Sequence, residues 1–300
     1  MIVFLNGEFV PEEKAVISVF DRGFLFGDGL FEAMLVRRGE IFRWDQHIER
    51  LQRGVAFLKL TVPYDADELF QFSMQLIQRN HMPECLLRLN ISRGITARGY
   101  SPKNAIRPAV VLTLHPAPVL DGRRVPRWRV ITSSYCLPAN DPLTNFKTTN
   151  KLPEVMARAE ADAAGAHDAI VLNPLGSIAE GTSCNVFWVR DNVVCTTPLA
   201  SGALPGVTRA AIIELCIKLN ISWREKNAKA ADLRRAQGVF LTNTSMGVIE
   251  VESLDNRKLR RSPLVKKLWA AYRALLWPAH PISTGSSGFA SLFDVSVSGS

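Results

Sequence analysis

Apolar positions recur along this chain at two spacings, and each predicts a different element. Residues 2–5 and 8–10 are short apolar runs around Asn6-Gly7, a dipeptide that favours a two-residue hairpin turn. Residues 15–19 (Ala-Val-Ile-Ser-Val) read as a third strand, and 30–36, 86–92 and 109–114 as further strands. A period near 3.6 predicts a helix over 45–57, with Ile48, Leu51 and Val55 on one face and Asp45 as its N-cap, and another over 65–79. Beyond residue 127 the pattern predicts a strand over 128–133, an irregular loop over 134–144 and an alanine-rich helix over 152–163. Apolar runs follow at 169–172, 185–189 and 193–195, then a loop over 201–206 and a helix over 207–219 with Ile212, Ile213, Leu215, Cys216 and Leu219 at helical spacing. A short helix over 231–234, a strand over 239–242 and an amphipathic helix over 263–277 complete the pattern.

The Pro- and charge-rich stretch 117–127 divides the pattern into a small N-terminal α/β unit, 1–116, and a larger unit, 128–280. Residues 281–300 are Ser/Gly-rich without sustained amphipathic spacing and read as a tail. At 47% hydrophobic and 21% charged, the 300 residues have the composition of a folded chain rather than a disordered one. The net charge of +8 raises nucleic acid as a partner, but the basic residues are scattered and carry no nucleic-acid motif, so none is expected. No apolar run approaches a membrane span of about 20 residues, and the N-terminus has no basic region or cleavage signal. The five cysteines show no Cys-x-x-Cys pair, which fits reduced thiols and a cytoplasmic location. His47, His81, His115, His167 and His280 share no ligand spacing, so no metal is expected.

The stretch 169–219 concentrates the chemistry. Glu180, backed by Gly181, sits among apolar residues, and Ser201-Gly202-Ala203-Leu204-Pro205-Gly206 feeds the helix that starts at Val207-Thr208. A glycine-rich loop entering a helix presents unpaired N–H groups and the positive end of the helix dipole, an anion cradle. Upstream, Lys147 precedes another helix. A lysine, a shielded glutamate and a phosphate cradle together suggest pyridoxal 5'-phosphate (PLP). A lone lysine is a surface residue by default, and Lys151 is an equal rival on composition alone. On periodicity alone Arg50 reads as an exposed helix arginine, and Thr244-Ser245 as a hydroxyl-rich turn. Arg98 and Tyr100 fall in a polar, glycine-flanked loop of the kind that carries recognition.

Three segments carry a resemblance: Phe146-Lys147-Thr148-Thr149-Asn150-Lys151-Leu152, Ala179-Glu180-Gly181-Thr182-Ser183-Cys184-Asn185-Val186-Phe187, and Ala203-Leu204-Pro205-Gly206-Val207-Thr208-Arg209. In this order and spacing they resemble the class IV (fold-type IV) PLP enzymes, which include branched-chain and D-amino-acid aminotransferases, (R)-amine transaminases and 4-amino-4-deoxychorismate lyase. The resemblance covers the chain to about residue 280. It implies a two-domain α/β fold of fold-type IV with the cofactor between the domains, and a homodimer. It implies Lys147 as the Schiff-base lysine, Glu180 facing the pyridine nitrogen, and Arg50, Val207, Thr208, Thr244 and Ser245 at the phosphate. Leu204 would pack on the ring, while Phe31, Arg98, Tyr100, Thr182 and Ser183 would face the substrate. The implied reaction moves an amino group between an amino acid or amine and a 2-keto acid. The alternative is the lyase, which releases pyruvate and 4-aminobenzoate.

Two departures bear on substrate. Branched-chain enzymes carry a tyrosine five residues after the lysine, where this chain has Leu152, and D-amino-acid enzymes often carry tyrosine where it has Phe31. By contrast, Arg98-Gly99-Tyr100-Ser101 and the segment 242–248 look similar to the lyases.

Overall fold

The computed structural model describes residues 1–120 and 122–276. The expected tail, 281–300, lies outside them. The strands form two sheets, one from residues before the 117–127 stretch and one from residues after it.

The first sheet has six antiparallel strands: β1 (Ile2–Leu5), β2 (Glu8–Pro11), β3 (Gly29–Arg37), β4 (Glu40–Ile41), β5 (Cys85–Ser92) and β6 (Val110–Pro116). Their order is β2-β1-β6-β5-β3-β4. Two helices cover one face, α2 (Trp44–Leu58) and α3 (Ala66–Arg79); a five-residue helix, α1 (Arg22–Phe26), precedes β3. The period of two along each strand sorts its residues between two environments. Leu30, Met34 and Val36 of β3 and Leu87, Leu89 and Ile91 of β5 pack with Ile48, Leu51 and Leu76 of the helices. Phe31, Ala33, Leu86 and Arg88 point the other way, into a cavity described below.

The second sheet is mixed, with nine strands: β7 (Arg127–Cys136), β8 (Asp168–Leu172), β9 (Ile178–Gly181), β10 (Asn185–Arg190), β11 (Val193–Thr196), β12 (Trp223–Glu225), β13 (Gly238–Asn243), β14 (Gly247–Leu254) and β15 (Arg257–Lys258). The order is β12-β11-β10-β13-β14-β7-β8-β9, with β15 on β14. Helices α4 (Leu152–Ala163), α5 (Val207–Lys218), α6 (Ala230–Arg235) and α7 (Pro263–Leu276) complete this half. Its central strands are buried on both faces, which explains their continuous apolar runs. Val186, Trp188, Val239 and Leu241 face one core, while Phe187, Val189 and Phe240 face another, built with α5 and α7. Leu35 of β3 belongs to that second core, so the first sheet packs on the same layer.

The expectations fail at a few places. Residues 15–19 form no strand: after β2 the chain leaves the sheet through a 3₁₀ turn, Glu12–Lys14, and Val16 and Val19 are left 75% and 65% exposed. Asp45 is not the N-cap of α2. Arg43, in left-handed conformation at φ 57°, holds that position, and Asp45 lies in the first turn. Asp65, not singled out from the sequence, caps α3 in a capping box with Glu68. The loop expected over 134–144 begins later, because β7 runs on to Cys136. The eight-residue strand β14 is absent from the reading because Glu250, Glu252 and Ser253 break its apolar pattern; Arg127 and Arg261 neutralise the buried Glu250.

Candidate active site

A cavity of about 630 Å³ opens where the first sheet, α4, α5 and the second sheet meet. Every site residue named from the sequence lines it except Arg98 and Tyr100: Phe31, Arg50 and Lys147; Glu180, Thr182 and Ser183; Leu204, Val207 and Thr208; Thr244 and Ser245.

Lys147 stands on an extended segment stitched to the first sheet. Its carbonyl accepts from Phe31 N–H at 2.9 Å, and Thr149 N–H donates to the Gly29 carbonyl at 3.0 Å. Its ammonium lies 4.6 Å from the centre of the Phe31 ring. Burial, and then the positive charge of Arg50, pull its pKa down to about 8. Lys151 also borders the cavity, but its ammonium is paired with Glu154 at 2.6 Å, three residues on.

Arg50 is reached from behind by an acid the sequence reading missed. Glu32 of β3 is fully buried, and Arg50 Nε and Nη2 donate to its two oxygens at 2.7 and 2.6 Å. His47 Nδ1 lies 2.7 Å from the same carboxylate. Burial alone would raise the Glu32 pKa, but Arg50 and His47 hold it down at about 2. The remaining arm of Arg50, Nη1, donates to the Pro205 carbonyl at 3.0 Å, so the guanidinium joins α2 to the glycine-rich loop. A lone acid inside the apolar run 30–36 was the available signal.

Glu180, at the end of β9, is served differently. Leu204 N–H donates to Oε2 at 2.9 Å, and Asn185 Nδ2 lies 3.3 Å from the same atom while also donating to the Leu204 carbonyl at 2.8 Å. No cation pairs with Glu180 among the described residues, and burial lifts its pKa to about 7. Nearby, Asp168 Oδ1 accepts from Thr182 N–H at 3.1 Å and from the Thr182 hydroxyl, fixing the turn that carries Thr182 and Ser183. Asn185 lay inside the segment that carried the resemblance but was given no role there, and Asp168 carried no signal beyond its place beside a strand.

The far end of the cavity is built for an anion. Helix α5 begins at Val207 after Gly206, with no side-chain cap. A Cβ on Gly206 would collide with Asn185 Oδ1, so a larger residue would displace the carboxamide that bonds the Leu204 carbonyl. Thr242 Oγ1, on the same wall, is buried without a hydrogen-bond partner. The Asn243 carboxamide oxygen accepts from the Ser245 hydroxyl at 3.2 Å and from Met246 N–H at 2.8 Å, shaping the turn of Thr244 and Ser245. An uncapped helix start, an orphaned hydroxyl and a guanidinium suit a phosphate. With a low-pKa lysine and a raised-pKa glutamate in the same cavity, this donor set fits PLP.

Arg98 and Tyr100 lie elsewhere. They sit on an exposed loop before β6, Tyr100 is 84% exposed, and neither borders the cavity of its own chain. Arg88 of β5, which the reading passed over, does border it. Its Nε donates to Asn90 at 3.1 Å, its guanidinium lies 4.0 Å from the Phe31 ring centre, and no carboxylate pairs with it among the described residues.

A lysine, a glutamate and an anion cradle in one cavity between two sheets are the donor set of a PLP enzyme. Residues 29–254 match the family amino-transferase class IV, and the chain belongs to that family. It is 29% identical to the D-alanine aminotransferase of Bacillus licheniformis over 90% of this chain and 95% of that one. It superposes on the T.th. branched-chain amino acid aminotransferase bearing pyridoxamine 5'-phosphate with a TM-score of 0.87 and 28% identity, covering 93% of this chain and 95% of that one. A Legionella pneumophila chain assigned as 4-amino-4-deoxychorismate lyase superposes with a TM-score of 0.81 and 27% identity, over 88% and 97%. The protein is a PLP-dependent aminotransferase of fold-type IV.

Proposed function

We propose that Lys147 holds the cofactor and carries the proton during transfer of an amino group from an amino donor to a 2-keto acid. The observation that carries this reading is the pairing of a depressed lysine and a raised glutamate in one cavity, with Lys151 already committed to Glu154. PLP, when bound, supplies an electron sink for the charge that develops at the donor's Cα. With a pKa of about 8, Lys147 Nζ is neutral often enough near pH 7–8 to take the Cα proton and return it elsewhere. Glu180, which no cation pairs among the described residues, would face the pyridine nitrogen and keep it protonated. Arg50, the α5 N–H groups of Val207 and Thr208, and the hydroxyls of Thr242, Thr244 and Ser245 would hold the phosphate, and Leu204 would pack on the ring. Phe31, Thr182 and Ser183 shape the substrate end, where Arg88 offers an unpaired guanidinium to a substrate carboxylate.

Each sheet with its helices would form a domain. A second copy of the chain would cover the apolar side chains left open around α1: Val16, Val19, Phe20 and Phe24 are each at least 65% exposed. Arg98 and Tyr100, next to this surface through the Phe26–Tyr100 ring contact at 5.3 Å, would then reach the partner's cavity and pair with a substrate carboxylate. Sedimentation should give a homodimer; an active monomer sinks the cross-subunit role. Five free thiols, four of them buried, suit the cytoplasm.

The lyase remains the second reading, supported by Leu152 in place of tyrosine and by the similar Arg98–Ser101 segment. One assay separates them. Keto-acid-dependent transamination of L-amino acids, D-amino acids and amines is measured beside pyruvate release from 4-amino-4-deoxychorismate. Pyruvate release without transamination would overturn the transferase reading.

A further inference from the structure

Arg22 is a buried cation that the catalytic reading does not use. It lies on α1, is 5% exposed, and spends both terminal nitrogens of its guanidinium on a single loop. Nη1 donates to the Thr96 hydroxyl at 3.0 Å, to the Gly99 carbonyl at 3.1 Å and to the Ser101 carbonyl at 3.3 Å; Nη2 donates to the Tyr100 carbonyl at 3.0 Å. Three consecutive carbonyls converge on one group only if the backbone curls around it, and Gly99, at φ 107°, supplies the curl. Nε donates to Asp28 at 2.7 Å. Asp28 also accepts from Arg93 at 2.8 Å, and Arg93 donates in turn to the carbonyls of Leu58 and Lys59 at the end of α2. The loop is thus tied through Arg22, Asp28 and Arg93 to the helix that bears Arg50. The side chains of Arg98 and Tyr100 take no part in the bonds from Arg22 and stay exposed.

We propose that Arg22 is a positioning residue for substrate selection: it holds the backbone of 96–101 in the one curl that presents Arg98 and Tyr100 to a substrate carboxylate. The proposal rests on the reading above that this loop meets the carboxylate. A planar fork with fixed donors can serve a hydroxyl and three carbonyls at once; an ammonium, a point charge with three donors, cannot reproduce that geometry. Arg22→Lys therefore keeps the charge opposite Asp28 and releases the curl.

The test is the first half-reaction of the holoenzyme, followed by cofactor absorbance, with an amino acid and with the matching amine that lacks the carboxylate. Arg22→Lys should raise the half-saturating amino acid concentration about tenfold or more, the scale of losing one charge-assisted contact. The limiting rate and the amine reaction should stay within about twofold of wild type, since nothing at the reacting atoms changes. Arg98→Ala should give the same selective shift, and the double variant should be no worse than Arg98→Ala alone, because Arg22 acts through that loop. If Arg98→Ala shifts selection and Arg22→Lys does not, or if amine and amino acid suffer together in Arg22→Lys, the positioning role is overturned. If Arg98→Ala itself leaves the amino acid untouched, the loop's substrate role falls, and the proposal with it. Should Arg22→Lys fail to fold, Thr96→Val removes the bond from Arg22, together with the hydroxyl's own bond to the Ala97 carbonyl, and is read by the same comparison. A selective rise in half-saturation supports the proposal, and equal losses or none overturn it.

Discussion

Two buried glutamates serve the cavity from opposite sheets, and the protein treats them in opposite ways. Glu32, on β3, has Arg50 on both oxygens and His47 beside them, and its pKa sits near 2. Glu180, on β9, has a backbone N–H and a carboxamide, no cation, and a pKa near 7. One cluster is complete within the chain. The other is a carboxylate already desolvated and still short of a positive charge, which a protonated pyridine would supply. The contrast separates what stabilises the fold from what is held ready for the cofactor: a paired buried charge is neutralised by the chain itself, an unpaired one awaits a ligand.

The largest effect should come from breaking the complete cluster. Glu32→Gln leaves Arg50 buried without its counter-charge and should cost about 3–5 kcal/mol of folding stability, measured by urea denaturation of the apoprotein. Glu180→Gln should do the reverse of this. The apoprotein at pH 8 should be as stable as wild type or more so, while the transamination rate falls about 10²–10³-fold, because a neutral amide no longer holds the ring nitrogen protonated. Equal destabilisation by the two variants would abolish the contrast.

Arg50→Ala joins the two regions, since the guanidinium touches both Glu32 and the glycine-rich loop. PLP titration should show weaker binding by about 1.5–3 kcal/mol. Wild-type cofactor affinity would remove Arg50 from the phosphate.

The pH dependence of apoprotein stability probes the same two carboxylates. Glu180's pKa is raised on folding from 4.5 to about 7, so its contribution is fully present below 4.5 and is lost as pH rises through 7. Glu32's is lowered from 4.5 to about 2, so its contribution is present above 4.5 and is lost as pH falls through 2. His47, lowered by burial, acts against Glu180 below its ordinary 6.5, and Lys147 titrates higher, between about 8 and 10.5. The wild-type stability curve minus that of Glu180→Gln should therefore decline between pH 5 and 8, by on the order of 2–3 kcal/mol. A flat difference would mean Glu180 is not strained.

The smallest effect belongs to Thr242. Thr242→Val removes a hydroxyl that has no hydrogen-bond partner among the described residues. It should leave apoprotein stability unchanged or raised, and weaken PLP binding by about 0.5–1.5 kcal/mol, the net worth of one hydrogen bond. Loss of stability in the apoprotein would show that the hydroxyl has an unseen internal role.

Local elements and the order of the motifs are legible in the sequence alone. Asn6-Gly7, the face of Ile48 and Leu51, and Gly206 before Val207 each act within a few residues, so one stretch of chain contains all the physics they need. The same locality made Lys147, Glu180 and the start of α5 legible as candidates for one cavity, and it misled at residues 15–19, where strand-forming side chains pair with neither sheet. The long-range pairings exist only in the folded chain. Glu32 lies 18 residues from Arg50, Asp168 14 from Thr182, and Arg22 some 74–79 from the loop it holds. Whether a glutamate rests at a pKa near 2 or near 7 depends on which cation arrives from another element and how much water is excluded, and neither is written in the neighbouring residues.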